Sequence, residues 1–263
     1  MSGGADPHLG HWPLSIAGLA AFFGIWWLAA GLGLAPPQFL PMPQDVLRTF
    51  FDLLHEPFAG YTLGQHLWSS FLRFAMGFLL AAAIGVPLGL LMGWFEWLDR
   101  IVTPLFECIR YVAPIAWVPF AALWFGTGIG GPVLIIFAGA FPPCVVNSYR
   151  GAKYVEPRLI EAAQTLGASN LRIVAQVLLP AALPSIVAGL RVSAGLGWMS
   201  LIGAELIVAS SGIGYMLVKG QSNIDTAIVM SGMIAIGLVG VAIDMLLRRA
   251  EARLLRYRHP SNS

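Results

Sequence analysis

Residues 161–180 read EAAQTLGASNLRIVAQVLLP. The stretch is polar on one side, interrupted by Gly167 and closed by Pro180, in a chain that is 57% hydrophobic and 11% charged. Its local code is complete. Pro157 suits a first helical position, where a missing N–H costs nothing, and Glu156 before it favours a helix start. Leu159, Ile160, Ala163 and Leu166 recur at helical spacing. Gly167 is the left-handed residue that stops this helix, and Ser169 is the N-cap of the next. Leu171, Ile173, Val174, Val177 and Leu178 give the second helix an apolar side, which Pro180 and Pro184 are expected to end. A plain connector would be shorter than this helix, Gly turn and helix. The segment 150–183 therefore reads as a handle for a protein outside the membrane. Ala162 and Ala163 give it a low profile, and Glu161 offers an acceptor to a partner's cation.

Everything around this handle reads as bilayer-spanning. A soluble domain carries about 25% charged residues, so lipid is the expected solvent here. The first span is 14–34, taken as an uncleaved helix because residues 1–13 hold no Lys or Arg. A cleaved signal ending near Ala35 is the alternative. A Pro-rich turn and an amphipathic helix follow, with Val46, Leu47, Phe50, Phe51 and Leu54 on one face and Asp45, Arg48 and Asp52 on another. That pattern suits a helix lying on the membrane surface. The second span is 74–95, with Gly77, Ala81, Gly85, Gly89 and Gly93 forming a small-residue stripe for close helix approach. The third, 101–125, is interrupted by Pro104, Pro114 and Pro119. The turn 127–131 leads to the fourth span, 132–149. The fifth, 184–207, follows the handle, and the sixth, 226–247, follows a Gly-rich segment. The expected fold is all-α and polytopic: one transmembrane domain over 1–263, with core spans two to six in 74–247 and a basic tail at 248–263.

Six spans put both termini on one side. Arg100, Arg150, Lys153, Arg158, Arg172, Arg248, Arg249, Arg253, Arg256 and Arg258 all fall on the side of the termini and the handle. The other side has Arg48 and Lys219, with Arg73 at its boundary. The basic excess makes the first side cytoplasmic. Asp244 and Arg248 are spaced to pair at the inner end of span six. Neither lysine follows a Gly-rich turn and no phosphate-binding loop is present, so ATP chemistry is expected on another chain. The net charge of +2 gives no footprint for nucleic acid. Cys108 and Cys144 read as small core residues, and the five histidines, His8, His11, His55, His66 and His259, show no metal-ligand spacing.

The stretch 161–180 resembles the EAA signature of bacterial ATP-binding-cassette (ABC) importer permeases. Glu161, Ala162, Ala163, Gly167, Leu179 and Pro180 match it, and Val177 stands where Ile is usual. FLPMPQDVL (39–47), IRYVAPIAWVPFAALWFG (109–126) and GLRVSAGLGWMSLIGAELI (189–207) are similar to the taurine/nitrate/sulfonate/bicarbonate-type branch of the binding-protein-dependent transport family. The resemblance covers nearly the whole chain. It implies a type I ABC importer permease fold in a bacterial inner membrane and a chain that is not itself an enzyme. It also implies that Glu161, Ala162, Ala163 and Gly167 form a coupling helix on a cytoplasmic ABC ATPase subunit, in two copies, which carries the ATP and Mg. A second copy of this chain and a periplasmic solute-binding protein complete the assembly.

A charge at membrane depth faces an interior or a wet path. Glu107, Arg110 and Glu205 are therefore candidates for the route of a small anion, together with Pro114, Trp117 and Trp198. The competing reading makes Glu107, Arg110, Arg191 and Glu205 structural ion pairs, or lets Arg191 snorkel to the inner surface. Tyr111 and Trp124 read equally as interfacial anchors. An ATP-independent channel or ion-coupled carrier is the alternative function, but it leaves the handle without a use and is expected to show an internal repeat. No Ser/His, HExxH or paired-Asp pattern at membrane depth suggests an enzyme.

Overall fold

The computed structural model describes residues 12–126 and 128–254. Most of the expected stretch 1–13, Thr127, and the end of the tail with Arg256, Arg258 and His259 lie outside them. His8 and His11 do too. Among the described residues the regular structure is helical: α1 (Trp12–Gly31), α2 (Pro43–His55), α3 (Leu63–Trp94), α4 (Glu96–Arg110), α5 (Val118–Phe125), α6 (Gly130–Lys153), α7 (Pro157–Thr165), α8 (Asn170–Ile173), α9 (Leu179–Val208), α10 (Ile213–Ser222) and α11 (Thr226–Leu254). Among the described residues five helices are long and apolar enough to cross a membrane, and six spans result if α4 with α5 counts as one broken span.

The chain divides into two compact units. The first comprises residues 1–63 and 216–234. In it the Trp26 indole N–H donates to the Pro41 carbonyl at 3.1 Å. Pro43 sits in the first turn of α2, where its fixed φ is helical already. The apolar arc of α2 divides. Val46 and Leu53 are buried, whereas Leu47 and Phe51 stay exposed. The Ser231 hydroxyl donates to the Val46 carbonyl at 2.9 Å. Asp225 accepts from the Ile228 N–H at 3.1 Å and so caps the start of α11.

The second unit comprises residues 64–215 and 235–263. Here the small-residue stripe of α3 lies against α6. A Cβ on Gly89 would meet the Val145 carbonyl at 2.4 Å, and one on Gly93 would meet the Ala152 Cβ at 2.5 Å. α6 and α9 approach as closely: a Cβ on Gly189 would meet the Asn147 Cβ at 2.4 Å. Backbones this near gain dispersion contacts that lipid cannot match. Trp198 plugs the joint between α9 and α11, donating to the Ile236 carbonyl at 3.2 Å and packing edge-on against Phe74.

Three of the differences from expectation have a clear physical cause. α3 begins at Leu63, eleven residues before the expected start of span two, because Ser70 and Arg73 are buried in protein. The expected third span, 101–125, is two helices bent by 89°. Pro114 forces Ala113 into an extended conformation (φ −56°, ψ 138°) and then opens a 3₁₀ turn over Pro114–Trp117. Pro104 lies inside α4 and Pro119 in the first turn of α5. Pro180 and Pro184 do not end the second helix of the handle. A π-helical segment, Val174–Leu178, precedes Pro180, and its wider turn relieves the clash of a proline ring with the preceding carbonyls. Helix is therefore continuous over Asn170–Val208, 39 residues. At 1.5 Å per residue it is about 58 Å long, roughly twice the hydrocarbon thickness.

Candidate functional site

The handle is an elbow between α6 and α9. α6 ends at Lys153, and Glu156 takes an extended ψ of 120° ahead of Pro157, which opens α7. At the other end of α7 the Gly167 N–H donates to the Gln164 carbonyl at 2.9 Å, and the Ala168 N–H donates to the Ala163 carbonyl at 3.0 Å. With Gly167 at φ +76°, this pair of bonds is a Schellman motif, which satisfies the last carbonyls of the helix and reverses the chain. Ser169 takes the cap position with ψ 155°, though its side chain makes no capping bond. On the inner side, Val155 and Leu178 are buried with Ala152, and Ile160, Leu90 and Trp94 pack on them. The outer side is uncovered. Glu161 and Ala162 are exposed, and Tyr154, Leu166 and Leu171 are each at least 80% exposed. The sequence reading placed Leu166 and Leu171 on the apolar faces of the two helices and did not single out Tyr154.

A second site lies around Arg110, the last residue of α4. Its Nε donates to Glu107 Oε2 at 2.7 Å, one helical turn back. Its Nη2 donates to the Tyr111 hydroxyl at 2.9 Å, and the guanidinium lies over the same ring, 4.8 Å from its centroid. This arrangement aims Arg110 at the wall of a cavity of about 390 Å³, bounded by Pro114 and Ile115 of the corner, Gly139 and Pro142 of α6, and Met199 and Ser200 of α9. Among the described residues, Arg110 is the one charged side chain in that wall. It also borders a neighbouring apolar cavity of about 280 Å³ that includes Trp117, and a third of about 160 Å³ with Glu107 and Tyr149. Of the sequence candidates, Glu107, Arg110, Pro114 and Trp117 are thus brought together, whereas Trp198 sits in the α9–α11 core.

Glu205 lies elsewhere, in a buried cluster. Arg73 Nη1 donates to Glu205 Oε1 at 2.7 Å, the Ser70 hydroxyl donates to the carboxylate at 2.8 Å, and the Gly214 N–H donates to Oε2 at 3.0 Å. Arg73 also donates to the Ser211 carbonyl at 2.8 Å. The Ser70 oxygen accepts from the Ile213 N–H at 2.9 Å, and His66 Nδ1 accepts from the Gly212 N–H at 3.2 Å. The carboxylate and the serine therefore satisfy the open N–H groups at the start of α10. Sequence reasoning had named Glu205 as a site residue but not Ser70 or Ser211, and it read His66 only as a histidine without ligand spacing. Arg191 is paired too, to Asp244 at 2.8 Å across α9 and α11, and Asp244 accepts from Arg248 at 2.7 Å. Cys144 is a core residue, 3.0 Å from the Ser193 hydroxyl, but Cys108 is exposed rather than packed, on a helix side that needs no protein cover in lipid.

Comparison with known proteins agrees with this architecture. Residues 85–256 match the family described as binding-protein-dependent transport system inner membrane component. The taurine transport system permease protein TauC of Escherichia coli (strain K12) is 36% identical over 250 residues, covering 92% of this chain and 91% of that protein. The nitrate import permease protein NrtB of Synechocystis sp. is 30% identical over 218 residues, covering 81% and 79%. In fold, the chain is similar to one from an inward-facing crystal form of the MetNI methionine ABC transporter, with a TM-score of 0.65 and 19% identity over 73% of this chain and 95% of that one. This multi-pass membrane chain belongs to the family of inner-membrane components of binding-protein-dependent transport systems, in the branch of the taurine and nitrate permeases.

Proposed function

We propose that this chain is the permease subunit of an ATP-driven importer and that the elbow is its coupling helix. The observation that carries the reading is the uncovered outer side of the elbow. Tyr154, Leu166 and Leu171 leave three large apolar side chains exposed around Glu161 and Ala162, as a docking surface does. The partner is a cytoplasmic ABC ATPase, one copy per elbow, and it holds the ATP and Mg. With one elbow per chain, two copies of the chain pair in the membrane. In this reading the elbow and both termini lie in the cytoplasm, which the excess of basic residues on that side supports, and a binding protein delivers solute at the opposite face. ATP-dependent closure of the ATPase pair shifts the permease only through its different contacts with the elbow in each state.

The proposed solute is a small organic anion of the sulfonate type. Two facts support this: the likeness to a taurine permease, and a largely apolar cavity with a single guanidinium. Glu107 and Tyr111 hold that guanidinium in place and temper its attraction, so that an anion entering the cavity also leaves it. The test is purification in mild detergent with the ATPase co-expressed, followed by taurine uptake into proteoliposomes with the binding protein added. A stoichiometric complex whose uptake requires ATP is expected. A lone chain that moves taurine without ATP overturns the reading in favour of a channel or carrier.

A further inference from the structure

We infer that Asp99 is a positioning residue, latching α4 to the root of the elbow so that Arg110, at the far end of α4, follows the elbow's motion. This rests on the coupling reading above. α4 has 15 residues, a rod of about 22 Å. Near its first turn, Asp99 Oδ1 accepts from the Thr103 hydroxyl at 2.7 Å, which fixes the carboxylate's rotamer. Oδ2 then accepts from the Tyr149 hydroxyl at 2.9 Å and from Lys153 Nζ at 3.2 Å. Both donors lie in the last two turns of α6, and Lys153 is its final residue, four before Pro157.

The rest of the rod is held along its length. Phe106 packs edge-on against Phe141 of α6 and is buried with Val145. The other charged groups at this end, Glu96 and Arg100, form a loose exposed pair of their own at 3.6 Å. At the far end of the rod stand Glu107 and Arg110, and directly beyond them the 89° corner. The corner releases α4 from having to move with α5. A rod pinned at the elbow's root and cornered at the cavity converts displacement of one into displacement of the other. Hydrogen bonds to a charged carboxylate suit a latch, being short-ranged and stronger than neutral ones.

The experiment uses the full chain with its ATPase in nanodiscs, with an environment-sensitive fluorophore on Cys108. That cysteine is exposed, next to Glu107, while Cys144 is buried. ATP-Mg with vanadate is expected to change the Cys108 signal in the native chain. In Asp99→Ala the ATPase is expected to stay bound and active, while the Cys108 response falls at least about fivefold, the lower range of couplings between sites. Asp99→Glu is expected to restore part of it. An undiminished response in Asp99→Ala overturns the inference, as does a native complex that hydrolyses ATP with no response at Cys108. Should Asp99→Ala fail to assemble, Tyr149→Phe decides by removing one hydroxyl: a full response there overturns the inference. A native chain that binds no ATPase defeats the coupling reading itself, and the latch with it.

Discussion

Arg73 and Glu205 are 132 residues apart in the chain and 2.7 Å apart in space. Breaking a buried pair by deleting one partner strands the other charge, at a cost of about 3–5 kcal/mol. Arg73→Ala is therefore expected to destabilise the protein severely, seen as a large drop in the detergent-solubilised unfolding temperature. Arg110 is a contrasting case. Its pair with Glu107 lies within one helix and is partly exposed, so Arg110→Ala should leave folding and ATPase binding intact while ATP-dependent uptake is lost. Loss of assembly instead would give Arg110 a structural role. Both groups were visible in the sequence as charges in apolar runs. What the sequence did not display is which polar residues meet them. Arg73 read as the boundary of a span and Ser70 drew no reading, since hydropathy averages over neighbours in the chain and these side chains answer to neighbours in space.

Helices α3 and α6 show the opposite balance. Glycines every four residues announce a contact face without naming its partner, and α6 fills it. Gly89→Val is expected to cost at least about 1–3 kcal/mol through overpacking, because the new Cβ would sit 2.4 Å from the Val145 carbonyl. Loss of monodisperse protein in size-exclusion chromatography checks this. In the elbow, local code was sufficient: Pro157, Gly167 and Ser169 mark helix ends by backbone rules that need no tertiary information. The same rules misled at Pro180, where a π-helical turn carries the helix through. The exposed side of the elbow gives a further test. Leu166→Asp with Leu171→Asp should abolish co-purification of the ATPase. It should also leave the stability of the permease within about 0.5 kcal/mol, as surface changes do.

At the scale of the whole molecule, the succession of apolar spans was legible from hydropathy along the chain, and the sidedness read from the basic residues is a prediction of its own. A cysteine placed at the exposed Thr165 is expected to react with a membrane-impermeant maleimide in inside-out vesicles and not in intact cells, with Cys108 replaced by serine beforehand. Reaction from outside would reverse the topology. The fold also constrains how such a molecule can move. At Gly89 and Gly93 α3 lies almost on the backbone of α6, and at Gly189 α9 lies as close to α6, so no side chain can swing into a new rotamer at these crossings. Sliding one past another by a single residue would drive a larger side chain into a carbonyl oxygen. These three helices are therefore a welded plate. Any breathing of the protein must be borne by its edges, at the bend after Tyr111 and at the Gly167 reversal, where backbone torsions, not packed side chains, take up the strain.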